Sequence, residues 1–207
     1  MAKSHASALA AHVPLEAVKP LMKLLHSHQI RLVITRDRIT KLGDFRPAVN
    51  GSPARISVNG GLNIYEFLMV FLHELAHLYV HEKCTNKVRP HGTTWKQIYG
   101  ELIRHYAEEG IFHPSLCDML VKYSYKVKAS GIADLELSKA LRRFDRTEKD
   151  LSWHFLEELP RDSVFKTSNG RLFRKEDRLK RRFACQCMHN NRKYLFHPTA
   201  RVWTVNE

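Results

Sequence analysis

The sequence predicts an α+β fold in three parts: a mixed domain over residues 1–120, a linker with a short helix over residues 121–160, and a small basic antiparallel β unit over residues 161–207. Three observations predict it. Three segments of the first 110 residues have the composition and spacing of helices, and two stretches rich in β-branched residues lie between the first and second of them. Beyond about residue 162, short aromatic and β-branched runs alternate with Asn, Gly and Pro turn signals. Finally, 207 residues, 43% hydrophobic and 27% charged, are enough for one ordinary domain with an appendage, and they exclude wholesale disorder.

In chain order, residues 14–29 place Leu15, Val18, Leu21, Met22 and Leu25 at helical spacing, with Pro20 disturbing the middle. Residues 30–36 (IRLVITR) read as a strand. Residues 37–53 hold Gly43, Pro47, Gly51 and Pro53 and read as loop or irregular hairpin. Residues 54–58 alternate as a second strand, closed by Asn59-Gly60-Gly61. Asn63 is an N-cap candidate for a helix running to Lys83, apolar on most of its surface and therefore buried. A polar connection leads to another helix, which Gly110 ends. A short charged helix is expected near 133–145. The strand-like pieces SVFKT, RLFRK, RRFACQCM, RKYLFHP and ARVWTV follow, with turns at Ser168-Asn169-Gly170, Asn190-Asn191 and Pro198.

The formal net charge is +13, of which +4 falls in residues 1–120 and +9 in residues 121–207. An excess concentrated in this way points to a polyanionic partner, most simply nucleic acid. The longest unbroken apolar run, Phe67 to Leu72, is too short to cross a bilayer, which takes about 20 residues. The N-terminus lacks the apolar stretch of a secretory signal, so a cytoplasmic location with no membrane partner is expected. Four cysteines without a C-x-x-C pair are then expected as reduced thiols.

The chemistry concentrates in His73-Glu74-Leu75-Ala76-His77. A helix advances about 100° per residue, so His77 lies about 40° from His73 and Glu74 about 100°. Both imidazoles face the same way, one turn apart, and can bind one metal ion. Glu74 lies on the adjoining flank, where its carboxylate can act on a metal-activated water without being a ligand. Neutral imidazole nitrogens suit one zinc ion with an open fourth position. This is the chemistry of zinc peptidases. A third protein ligand is required. A metzincin would carry glycine and histidine where this chain has Val80 and Lys83. His81 continues the helix face but lies about 12 Å along the axis from His73, too far for one ion. His91, between Pro90 and Gly92, is the better candidate, with Glu101 a minor option.

The stretch HELAHLYVHEKCTNKVRPHGTTW resembles the SprT-like metalloproteases, in which a His-Glu-x-x-His helix is followed, about one loop later, by a His-Gly-x-x-(Trp/Phe) helix start. The preceding RITKLGDFRPAVNGSPARISVNGGLN is similar to the strand region before the active helix of that family, and the resemblance covers roughly residues 15 to 120. It implies a compact zincin-like domain, with His73, His77 and His91 as ligands of one zinc and Glu74 as the catalytic acid/base. It also implies a protease acting on DNA-bound or DNA-crosslinked proteins. A non-enzymatic, zinc-containing DNA-binding adaptor is the alternative, and a metallohydrolase of non-protein substrates a third reading. No second oxyanion donor is singled out among Tyr65, Tyr79 and Tyr99.

Many SprT-like proteins end in a zinc ribbon with two cysteine pairs, whereas this chain has only Cys185-x-Cys187. A metal-free β unit in place of the ribbon is expected, although Cys185, Cys187, His189 and His197 leave a residual metal site conceivable. The run Arg171, Arg174, Lys175, Arg178, Lys180, Arg181 and Arg182 could follow a phosphate backbone. Phe173, Phe183, Tyr194 and Trp203 could stack on bases, but for most of them a core position is favoured.

Overall fold

The computed structural model describes residues 2–36, 41–49, 51–84, 88–128, 134–145 and 153–205, and parts of the expected linker lie outside these. The fold is α+β, and it divides into two compact units, Met1–Phe144 and Asp145–Glu207.

The first unit begins with α1 (Ala2–Ala10), a helix that the sequence reading does not anticipate, and α2 (Leu15–Ser27). α2 runs through Pro20 unbroken. A proline there forfeits one backbone hydrogen bond, and the burial of Ala17 and Leu21, both 0% exposed, offsets that cost. β1 (Arg31–Thr35) and β3 (Arg55–Asn59) pair in parallel, and β2 (Gly43–Arg46) pairs antiparallel with β3 at the edge, in the order β1-β3-β2. β2, antiparallel to the next strand in the chain, gives the hairpin form of the loop or irregular hairpin expected over residues 37–53. Gly-Asp-Phe-Arg has little strand propensity of its own, and its ladder with β3 and its packing on the next helix decide its conformation.

That helix, α3 (Ile64–Lys83), starts where Asn63 caps it: the Asn63 Oδ1 accepts from the backbone N–H groups of Tyr65 (3.1 Å) and Glu66 (3.0 Å). Phe67, Leu68, Met69, Phe71, Leu72, Leu75 and Ala76 are all fully buried, so α3 is the axis of the core. α4 (Thr93–Glu108) ends at Gly110 with φ +67°, as the sequence expects. α5 (Pro114–Ser124) and α6 (Leu135–Arg142) place Leu116, Leu120, Leu137 and Leu141 in the same core. A boundary at 120 is therefore wrong: it cuts through α5, and the apolar faces of both helices have their partners in the first unit.

The second unit is a six-stranded antiparallel sheet in the order β4-β9-β5-β6-β7-β8. Its strands are β4 (His154–Phe155), β5 (Val164–Lys166), β6 (Leu172–Leu179), β7 (Arg182–Cys187), β8 (Lys193–Phe196) and β9 (Arg201–Thr204). Five of these match the expected pieces. β4 does not, and its pairing with β9 starts the unit before residue 161. Leu156, Phe165, Phe173, Phe183, Cys185, Cys187 and Val202 form its core.

Candidate metal centre

α3 presents His73 and His77 one turn apart, as the helical spacing requires. The third imidazole arrives from the connection between α3 and α4. His91 has φ +57°, a left-handed backbone that costs an ordinary L-residue about 1–2 kcal/mol. That turn, between Pro90 and Gly92, folds the chain back so that the His91 side chain meets the α3 pair. The Nε2 of His91 lies 3.0 Å from that of His77 and 3.1 Å from that of His73. Ligand atoms of all three lie within 4.8 Å of one another, and among the described residues no other group of His, Cys, Asp or Glu forms such a cluster.

Burial and the neighbouring imidazoles His77 and His91 push His73 down to about 3. Burial, then His91, takes His77 to about 4, and burial lowers His91 as well. All three shifts favour the neutral ring, the state in which imidazole donates a lone pair to a metal. One ring proton can bridge only one of the close Nε2 pairs, whereas a cation at the centre uses all three lone pairs. A tetrahedral ion with bonds of about 2.0–2.1 Å would hold its nitrogens about 3.3 Å apart, within a few tenths of an ångström of the two close pairs. The cluster could hold a metal ion.

Trp95, 1% exposed on the first turns of α4, backs the cluster: its ring centroid is 4.6 Å from those of His73 and His91 and 5.4 Å from that of His77. Tyr99 stacks behind Trp95, 4.9 Å away, and its hydroxyl donates to the Met69 carbonyl. This fully buried phenol is committed to the core. Tyr65 is likewise packed on Phe112 and Phe144, and Tyr79 stands against His28. Glu101 is exposed on α4 and His81 is exposed beside Phe45, and neither belongs to the cluster.

Glu74 is only 7% exposed. Its carboxyl is pushed up to about 7, first by burial and then by the negative charge of Asp44; Lys41 and the backbone N–H of Phe45 oppose this. The β2 strand of the irregular hairpin therefore forms the wall over Glu74. Its Gly43 lets the strand come close: a Cβ at that position would stand 2.5 Å from Glu74 Oε1 and 2.7 Å from Val70 Cγ1, so a side chain would have to shift. Beyond the cluster, a cleft of about 410 Å³ opens between Phe45, Val80, Val88 and Pro90, with His77 and His91 in its lining. Nothing in the sequence marked the roles of Gly43 and this apolar cleft, whereas Trp95 already stands at the (Trp/Phe) position of the HGTTW stretch.

In the second unit, Lys175 departs from the phosphate-tracking role. It is 4% exposed, its Nζ donates to the carbonyls of Leu156 (2.8 Å), Glu157 (3.4 Å) and Leu159 (2.5 Å), and it lies 4.1 Å from the centroid of the Phe183 ring. A lysine alternating with buried Phe173 on β6 points inward, and a buried ammonium needs such acceptors. Arg171 is held within the sheet, donating to Tyr194 Oη (3.0 Å) and Cys187 Sγ (3.3 Å). Arg178 pairs with Glu157 at 3.7 Å. Arg174, Lys180, Arg181 and Arg182 are exposed. Phe173 and Phe183 are core residues, and Cys185 and Cys187 are free thiols, both 0% exposed.

Comparisons of the chain with family models, with curated proteins and with solved structures return no match. Among the described residues no helix is long and apolar enough to cross a membrane.

Proposed function

We propose that the chain is a metal-dependent endopeptidase of SprT-like type, with zinc as the metal that three imidazole nitrogens suit best. The observation that carries this reading is the convergence of three imidazoles beside a buried carboxyl that is not part of the cluster. His73, His77 and His91 would hold the zinc ion, which when bound would supply Lewis acidity for polarising a carbonyl and acidifying water. Glu74 then takes a proton from the attacking water and passes it to the leaving amine. A carboxyl whose proton affinity lies near neutrality suits both transfers. Trp95 and Tyr99 keep the rings oriented and exclude water from the back of the site. The apolar cleft beside His77 and His91 receives a substrate side chain. Proteins bound or crosslinked to DNA are the proposed substrates, supported by the net charge of +13, the exposed basic side chains of the second unit and the family resemblance.

Metal analysis of the purified protein, joined to an assay on a denatured protein substrate, tests this reading. We expect one zinc per chain, removal of hydrolysis by a chelator and its recovery with zinc. His91→Ala should retain the fold but lose metal at concentrations that saturate the parent. A protein that hydrolyses equally well without metal would overturn the proposal.

Gly43→Ala gives a second test. The added methyl must displace the Glu74 carboxyl or the strand above it, so hydrolysis should fall roughly 10²-fold with zinc content unchanged. Activity equal to the parent would mean that the Glu74 position is not critical.

A further inference from the structure

α4 carries a second feature on the face adjoining Trp95 and Tyr99. Lys96, Gly100 and Arg104 follow one another at intervals of four residues, a stripe about 12 Å long. Gly100 keeps it in close contact with the end of α5: a Cβ there would lie 2.3 Å from the Ser124 carbonyl oxygen. The result is a groove of about 540 Å³, with Lys96, Glu101 and Arg104 on one side and Tyr125 and Lys126 on the other.

Two properties of this groove serve no purpose in the core. Tyr125 is 70% exposed, and the Arg104 guanidinium lies over its ring, 5.2 Å from the centroid. Lys96, Arg104 and Lys126 form no ion pair among the described residues, and Glu101 is the one acid in the lining, so the groove has a surplus of two positive charges. A solvent-exposed ring flanked by cations spread along a groove offers what unpaired nucleic acid requires: a flat surface on which a base stacks, and charges that reach successive phosphates. An acidic peptide would satisfy the charges and leave the tyrosine without a role.

We propose that the α4–α5 groove of the first unit binds single-stranded nucleic acid, with a base stacked on Tyr125 and phosphates held by Lys96, Arg104 and Lys126. The sequence reading expects this contact on the basic C-terminal unit; the groove is a separate site, and its occupancy does not depend on the chemistry of the metal centre. A strand held there lies on the same helix that backs the metal centre, so protein attached to that strand would be retained near the cleft.

Fluorescence anisotropy with the full chain and a labelled oligodeoxythymidylate of about 15 nucleotides, in about 50 mM salt, tests the site without recourse to hydrolysis. Tyr125→Ala should weaken binding about fivefold or more, while Tyr125→Phe, which keeps the stacking face, stays near the parent. Arg104→Gln and Lys96→Gln should each weaken binding and reduce the slope of log affinity against log salt by about 0.7. A duplex of the same length should compete poorly. Photocrosslinking of a bromodeoxyuridine-containing strand to the parent protein should yield an adduct at or beside Tyr125. Parent-like affinity of both Tyr125→Ala and Arg104→Gln would overturn the proposal, as would adducts confined to residues 145–207. So would displacement by polyglutamate that matches displacement by unlabelled oligonucleotide.

Discussion

Glu74→Gln is expected to leave the fold and the zinc content intact and to slow peptide hydrolysis by about 10²–10⁴-fold, the usual worth of a positioned acid/base. The amide is nearly isosteric with the carboxyl, so the close approach of Gly43 is retained. What is lost is the capacity to take up and release a proton. Because Glu74 is not among the clustered ligand atoms, metal affinity should change little. Steady-state rates on a peptide substrate, together with metal content, decide the matter: a variant that cuts at the parent's rate removes Glu74 from the mechanism. A variant that loses zinc would instead make Glu74 part of the metal's support.

Gly100→Ala is expected to destabilise the first unit by about 2–3 kcal/mol, although in an exposed helix the same change would stabilise by about 1 kcal/mol. The sign reverses because the new methyl would meet a backbone carbonyl of α5 at 2.3 Å, and a backbone group cannot rotate away as a side-chain end can. α4 and α5 must separate, and Trp95 and Tyr99 on the adjoining face of α4 then lose their fit to the histidines. Calorimetry should show a melting temperature roughly 5–10 °C lower. An unchanged temperature would mean that the two helices slide at little cost.

Features carried by neighbouring residues were legible in the sequence. Helical periodicity located α3, Asn63 marked its start and Gly110 marked the end of α4, because caps and spacing act within a few residues. The turn signals of the last 45 or so residues outlined five of the six strands of the second sheet, since tight turns depend on local conformational preferences. The His73/His77 pair follows from helix geometry alone. The choice of His91 over Glu101 does not. The place of His91 between Pro90 and Gly92 already favoured it, and the left-handed backbone at residue 91 brings its ring to the α3 pair.

The sequence by itself thus determined an α+β chain with two metal-ready imidazoles and an acid on one buried helix, because each of these is written within a single helical turn or hairpin. Tertiary structure alone decided that Gly-Asp-Phe-Arg becomes an edge strand over Glu74, that α5 and α6 belong to the first unit, and that Lys175 points into a core. It also decided that Tyr125 and Arg104, 21 positions apart in the chain, share one groove. These outcomes depend on which surfaces meet across long stretches of chain, and pairing, burial and steric exclusion act there between residues whose proximity no local pattern records.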